Sequence, residues 1–185
     1  MFITLAIIAA IALYVVFIYN GLVKARQMKE EAWSGIDVQL KRRADLIPNL
    51  IETVKGYAAH EKTTFEEVIA MRNRAQAVPS GDVEGRAQAE GALSQALGKL
   101  FALAEAYPDL KANQNMLQLS EEITSTENKV SFARQAYNDS VMQYNTARQT
   151  FPTAIVAPIF GFTEATLFQI DDARQREVVN VSLQP

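Results

Sequence analysis

The uncharged N-terminal run of this 185-residue chain is the feature that most constrains its fold. The first nineteen residues contain no Asp, Glu, Lys or Arg. Residues 2–19 are long enough to cross a membrane, which takes roughly 17–25 apolar residues. A cleaved signal peptide would show a basic leading region, a shorter apolar core of about 7–15 residues and a small-residue cleavage site, and this run shows none of them. The sequence therefore predicts a retained transmembrane anchor over residues 1–23.

The charges that flank this run predict its orientation. Lys24, Arg26 and Lys29 follow the apolar residues, whereas the leading side carries only the terminal amine. Positive flanks stay on the cytoplasmic side. We therefore expect the N-terminus outside and the remaining domain in the cytoplasm, a compartment that the absence of cysteine permits without proving it.

After the anchor, the periodicity predicts an all-α fold with long antiparallel up-and-down helices over residues 24–150. Apolar residues recur every three or four positions, and this first stripe consists of Trp33, Ile36, Leu40, Ala44, Ile47, Ile51, Val54 and Ala58. Pro48 interrupts the stripe without changing its phase. This favours one long helix kinked near residues 45–48, with a second helix capped by Asp45 as the alternative.

Further helices follow the first. The stripe continues through Phe65 and Val68 after a shallow break at residues 57–62, and residues 78–82 form a turn. A helix is predicted from Asp82 to Tyr107, and a last one from Pro108 to about Thr150. The stripe of this last helix consists of Met116, Leu119, Ile123, Thr126, Val130, Ala133, Tyr137, Val141 and Tyr144.

The character of the chain changes in residues 151–185. Residues 151–168 are apolar but broken by Pro158 and Gly161, which predicts an irregular segment that folds back and caps the core. The alternative is a patch that binds lipid or a partner. In the tail, Val179, Val181 and Leu183 alternate as in a short strand. Because the chain offers no second strand, these three residues form a candidate interaction segment.

The residue inventory argues against an enzyme. The single histidine, His60, has no second histidine four positions later, where Thr64 stands, so the zinc-protease pattern is incomplete. Ser34 and His60 lack the nucleophile elbow and the oxyanion loop that a hydrolase needs. We expect no catalytic, metal or cofactor site and, at a formal net charge of −3, no nucleic-acid partner.

Three long motifs resemble those of the LemA family. They are EAWSGIDVQLKRRADLIPNL at residues 31–50, VKGYAAHE at residues 54–61 and FPTAIVAPIFGF at residues 151–162. The first two follow the membrane run and Tyr19-Asn20, as in the family pattern, whereas the tail departs from it. The resemblance implies a single-pass bacterial inner-membrane protein with a LemA-type helical bundle, and it transfers no catalytic or cofactor residue.

The resemblance also suggests a role. The family includes a magnetosome-membrane member and is associated with membrane proteases, which suggests membrane organisation or adaptor work. A helical rod on an anchor, an unpaired C-terminal strand and the lack of a catalytic set lead us to predict a self-associating scaffold that organises or shapes the membrane. The alternative is an adaptor or regulator for a membrane protease or another cytoplasmic-face complex. Expected partners are the bilayer, further copies of the chain and another membrane protein such as a protease.

The first motif is interpreted as a packing unit. We expect five of its apolar side chains to be buried, Pro48 to set the bend, and Asp37 and Arg43 to contact other helices. The buried side chains would be Trp33, Ile36, Leu40, Ile47 and Leu50.

Overall fold

The structure is a computed structural model and describes residues 1–169. The predicted strand residues Val179, Val181 and Leu183 lie outside this part of the chain. Six α-helices make up most of the described residues, which contain no strand, so the all-α prediction is confirmed. The helices are α1 (Phe2–Lys55), α2 (Lys62–Ala77), α3 (Val83–Glu105), α4 (Pro108–Lys111), α5 (Gln114–Gln149) and α6 (Thr153–Ile159).

Helix α1 runs through Pro48 without interruption. The prediction of one long helix is therefore confirmed, and the alternative of a second helix capped by Asp45 is wrong. Pro48 lies on the exposed side of α1. The buried stripe keeps its phase on both sides of the proline, with Leu40 before it and Leu50 after it.

The predicted break at residues 57–62 is present and is deeper than expected, because the chain leaves the helix completely over residues 56–61. The amides of Tyr57 and Ala58 both donate to the Val54 carbonyl, at 3.0 Å each. The Tyr57 bond spans three residues and tightens the last turn, as is common where helices end.

The last long helix begins later than predicted. Pro108 does occupy a first helical position, but it opens the single turn of α4. The side chain of Asn113 then accepts hydrogen bonds from the amides of Asn115 and Met116, at 2.9 and 3.2 Å. This is an N-cap, which explains why α5 starts at Gln114.

The chain divides into two compact units. Unit 1 comprises Met1–Asp45 and Glu121–Leu167, that is, most of α1, most of α5, α6 and the residues after it. The described part of unit 2 comprises Leu46–Ser120 with Phe168 and Gln169. The sequence-based division into anchor, bundle and C-terminal segment stays a prediction.

Each unit has a helix-lined apolar core. In unit 1 the stripes of α1 and α5 supply the buried residues Ile36, Leu40, Ala44, Ile123, Thr126, Val130, Tyr137, Val141 and Tyr144. In unit 2 the buried residues include Ile47, Leu50, Ile51, Val54, Phe65, Val68, Leu93, Leu97, Leu100, Leu110 and Met116. Each large apolar side chain that is fully buried stabilises the fold by roughly 1.5–3 kcal/mol.

Candidate functional site

The N-terminal part of α1 has the surface of a membrane anchor. Among residues 1–169, α1 is the one helix long and apolar enough to cross a bilayer. Between Phe2 and Phe17 its large apolar side chains are more than half exposed, except Val15, which is partly buried. A continuous apolar surface of this size is unusual in water. We therefore interpret residues 1–23 as a membrane anchor.

The end of the anchor packs against the C-terminal part of unit 1. One core cluster joins α1, α5, α6 and the residues after α6, and Val15 and Val23 pack against its edge. We call it the membrane-proximal cluster; its buried members are Ile18, Leu22, Tyr144, Val156, Ala157 and Phe162.

Aromatic and cationic side chains extend this cluster along α1. The Tyr19 ring meets the rings of Phe160 and Phe162 edge to face, with centroids 5.1 and 5.7 Å apart. The Arg26 guanidinium lies 5.2 Å from the Phe162 centroid, and Lys29 Nζ lies 5.5 Å from the Tyr144 centroid. Apolar, aromatic and basic groups thus succeed one another along the helix, as at a membrane–water interface.

A short extended segment, residues 162–167, lies along α5, and we call it the strap. The Tyr144 hydroxyl donates to the Thr163 carbonyl at 2.9 Å, and the Tyr137 hydroxyl donates to the Thr166 carbonyl at 3.0 Å. Since the later strap residue pairs with the earlier helix residue, the strap runs antiparallel to α5.

Asn145 fixes the middle of the strap. Its Nδ2 donates to the Ala165 carbonyl and its Oδ1 accepts from the Ala165 amide, both at 2.9 Å. One side chain therefore satisfies both backbone groups of a strap residue, as a neighbouring strand would. Arg148 adds an ion pair to Glu164 at 3.1 Å.

Burial changes the acidity of the two strap-binding tyrosines. It raises the pKa of Tyr137 above the ordinary value of 10.0. It also raises the pKa of Tyr144, although the nearby positive charges of Arg148 and Arg26 counteract part of this effect. Desolvation disfavours the charged phenolate, so both hydroxyls keep the proton that they donate to the strap.

Helix α6 ends in a defined cap. The Gly161 amide donates to the Pro158 carbonyl at 3.2 Å, and the Phe162 amide donates to the Ala157 carbonyl at 3.0 Å. Gly161 has a φ of +72°. This is the Schellman arrangement, in which glycine adopts the left-handed conformation without strain. The cap directs the chain from α6 into the strap.

Within residues 151–168, Val156, Ala157, Phe162 and Phe168 are buried, and the capping of the core by this segment stays a prediction. The expected irregular backbone is present in the strap, but residues 153–159 form α6, with Pro158 inside it. The other side of this region remains exposed. The exposed fractions are 78% for Phe151, 60% for Ile155, 73% for Ile159 and 48% for Phe160.

The first sequence motif contributes to both units. Ile36 and Leu40 are buried in unit 1, and Ile47 and Leu50 are buried in unit 2. Pro48 and Asp37 are exposed. These positions agree with a packing unit, although its role stays a prediction.

The expected burial of Trp33 is wrong, because its side chain is only half-buried. The ring lies against Tyr137, with centroids 5.3 Å apart and the planes inclined by 60°. A large ring at the margin of a contact between two long helices is covered on one side and stays accessible on the other.

Arg43 is the most deeply buried charged side chain of the motif, with only 1% of its surface exposed. Its Nη1 lies 3.1 Å from Glu127 Oε2 on α5, and the Glu127 side chain is 49% exposed. The pair joins α1 to α5 within unit 1. The expectation that Arg43 contacts another helix is therefore met.

The two residues considered for catalysis belong to different units. Ser34 belongs to unit 1, and His60 is an exposed residue of unit 2. Within residues 1–169, no three His, Cys, Asp or Glu side chains are grouped so that they could hold a metal ion.

Tyr137, Tyr144 and Asn145 bind the strap, and helical spacing alone did not predict this role. Both tyrosines were placed on the buried stripe, but their hydroxyls had no predicted partners. The available signal was the pair of buried hydroxyls seven residues apart on α5, since buried tyrosine hydroxyls usually need an acceptor.

The apolar N-terminal part of α1 suggests a membrane anchor, and the described residues after it are mostly helical. These features indicate a membrane-associated all-α protein. The comparison of sequences narrows this class. The LemA family model matches residues 32–183, and the chain belongs to the LemA family.

Individual relatives share a low sequence identity with this chain. The chain is 23% identical over 185 residues to the magnetosome protein MamQ of Magnetospirillum gryphiswaldense, covering 87% of this chain and 68% of that protein. It is 23% identical over 189 residues to the magnetosome protein MamQ 2 of Paramagnetospirillum magneticum, covering 89% and 70%. It is 25% identical over 159 residues to protein LemA of Metamycoplasma hominis, covering 86% and 72%. None of these names denotes an enzyme.

Proposed function

We propose that this protein is a non-enzymatic, membrane-anchored scaffold that self-associates and organises or shapes the bacterial inner membrane. The observation that carries the proposal is the continuity of α1 from Phe2 to Lys55. Because the anchor and the body of unit 1 share one helix, contacts between anchors would also set the relative orientation of the bodies.

Small residues on the anchor support the association. Ala6, Ala9, Ala10 and Ala12 are all exposed. Small side chains let the backbones of two membrane helices approach closely, which favours pairing in lipid. On the body, Val38 is a large apolar side chain with 59% of its surface exposed, and it offers further contact area.

The names of the relatives agree with a structural role. Two of the similar proteins are named as magnetosome proteins, and this name refers to a cellular structure rather than to a reaction. For the present chain we propose the same kind of role at the inner membrane, with the N-terminus outside and the body in the cytoplasm.

Cysteine cross-linking in native membranes tests the self-association, because the chain has no cysteine of its own. We expect Ala9→Cys at physiological expression to give a cross-linked dimer with a short thiol-specific reagent. Ile11→Cys is the matched control, since two residues at about 100° each place it on nearly the opposite side of the helix. A strictly monomeric protein with cysteine at either position 9 or position 11 would contradict the proposal.

Co-purification in mild detergent separates the scaffold from the adaptor. A homogeneous assembly of this chain is expected. A stoichiometric membrane protease or other unrelated membrane protein would instead favour an adaptor or regulator, with the exposed face around Phe132 and Met142 as the first surface to mutate.

A further inference from the structure

We propose that α6 and Phe160 form a second membrane contact, in which the exposed apolar side chains enter the leaflet from which α1 emerges. The proposed occupant of this surface is the lipid bilayer. We call the surface the α6 patch; it consists of Phe151, Ile155, Ile159 and Phe160.

The depth of the α6 patch follows from its contacts with the anchor. The Phe160 ring meets the Tyr19 ring edge to face. Both residues line a shallow apolar groove together with Val15 and Val16. Val16 stands eight residues before Lys24, the first charged side chain, which is about 12 Å along a helix that rises 1.5 Å per residue. A bilayer core about 30 Å thick needs about 20 residues of this helix. If α1 spans the membrane, Val16 lies inside the core and Phe160 lies at the same level.

The composition of the segment fits this depth. Residues 151–163 contain no charged side chain, although Arg148 and Glu164 stand close to both ends. These two residues pair with each other, so the charges that border the α6 patch form an ion pair beside it. Arg26, above the Phe162 ring, adds a basic group of the kind that reaches headgroup phosphates while its stem covers apolar surface.

The strap and the membrane-proximal cluster hold α6 in place. Helix α6 is too short to be stable alone. Its inner residues Val156 and Ala157 are buried against the anchor end, and the residues after its cap are fixed to α5 by Asn145 and the two tyrosines. The outer face is therefore presented to its surroundings on a rigid support.

The contact of the α6 patch with the anchor indicates that lipid covers the patch. The α6 patch adjoins an apolar helix that is itself surrounded by lipid, so the same solvent covers both without any further partner. A short apolar helix at the edge of one leaflet occupies area in that leaflet alone. This contact goes beyond the proposed self-association and does not depend on it.

Site-directed spin labelling of the full chain tests the inference. Ile159→Cys carries a nitroxide in vesicles of phosphatidylcholine and phosphatidylglycerol, and Phe132→Cys on the exposed face of α5 is the matched control. We expect the label at 159 to collide with oxygen several-fold more often than with a water-soluble nickel chelate. The label at 132 should show the reverse preference. Both positions are 73% exposed, so neither label disturbs the core.

Two results would overturn the proposal. Equal nickel accessibility at positions 159 and 132 would place the α6 patch in water. Low accessibility to both reagents, with dipolar broadening that disappears on dilution with unlabelled chain, would show that a second copy covers the patch instead of lipid. The measurement is also made at a high lipid-to-protein ratio. If self-association fails, the label at position 159 should still collide more often with oxygen than with the nickel chelate.

Discussion

Arg43 and Glu127 form an ion pair whose two members differ strongly in burial. The guanidinium is almost completely enclosed, whereas half of the Glu127 side chain reaches solvent. Removing one member of a buried pair is costly when the other charge stays buried. The two possible deletions should therefore have unequal effects on the free energy of unfolding.

We expect Glu127→Gln to destabilise the protein by about 2 kcal/mol, because it leaves a buried positive charge beside a neutral amide. Arg43→Met should cost about 1 kcal/mol, since the apolar stem is retained and Glu127 turns to water. Thermal unfolding of the full chain in detergent measures both. The exposed neighbour Arg42 supplies the control, and Arg42→Met should stay within about 0.5 kcal/mol. A larger cost for Arg43→Met than for Glu127→Gln would refute this interpretation of the pair.

Trp33 tests whether the first motif is structural. Full burial would give a cost of about 3–5 kcal/mol for Trp33→Ala, but the half-buried ring against Tyr137 predicts a smaller loss of about 2 kcal/mol. Phe132→Ala, at an exposed aromatic residue of α5, should have little effect. Chemical denaturation followed by circular dichroism gives both values. An unchanged stability combined with lost assembly would identify Trp33 as part of a functional surface.

At the scale of elements, the strap depends on two tyrosines that must stay protonated. Burial raises the pKa of Tyr137 and of Tyr144 in the folded protein above 10.0. A group with a raised folded-state pKa contributes its stability in full below the unfolded pKa and loses it as the pH rises through the folded pKa. The strap should therefore be held most firmly below pH 10 and should loosen as the pH rises through the higher folded-state pKa values of the two tyrosines.

A spin label at Thr166→Cys reports this release, because the Thr166 side chain is exposed while its carbonyl accepts from Tyr137. We expect slow motion at neutral pH and fast motion as the pH rises above 10. In the Tyr137→Phe/Tyr144→Phe protein, motion of the label should no longer change in this range. A label at position 132 controls for global unfolding. The same alkaline transition in the double variant would show that other groups hold the strap.

At the scale of the whole molecule, the apolar anchor and the basic residues that follow it determine how the chain meets the membrane. Lys24 and Arg26 are exposed and Lys29 lies half-buried beside Tyr144. The membrane-proximal cluster lies beside this basic stretch, so a reversed orientation would place the same cluster at the opposite leaflet. Topology therefore decides which leaflet meets the α6 patch.

A reporter that is active only in the cytoplasm, fused after Pro185, should give a signal if the proposed orientation holds, since basic flanks such as Lys24, Arg26 and Lys29 favour the cytoplasmic side. Changing these three residues to Gln should weaken the preference and give a mixed population. Activity of a periplasm-only reporter at the same position in the unmodified chain would contradict both the orientation and the compartment.

The spacing of apolar residues in the sequence was sufficient to predict the buried stripes of the long helices. Ile36 and Leu40 on α1, and Val130 and Val141 on α5, were assigned to the core from a spacing of three or four residues. Helical periodicity is a local property, so these assignments need no knowledge of the partner helix. The anchor was determined in the same way, because length and absence of charge are properties of one segment.

The contacts of the stripe residues could not be predicted from the sequence, because they depend on the fold of the whole unit. The partners of Tyr137, Tyr144 and Asn145 are backbone groups 19–29 residues later in the chain, and no local pattern specifies which segment lies along α5. The half-exposure of Trp33 likewise depends on how far the neighbouring helix covers its ring. Pairing between distant segments is set by the combined packing of the whole unit, and for this reason the strap and the α6 patch emerged only from the folded chain.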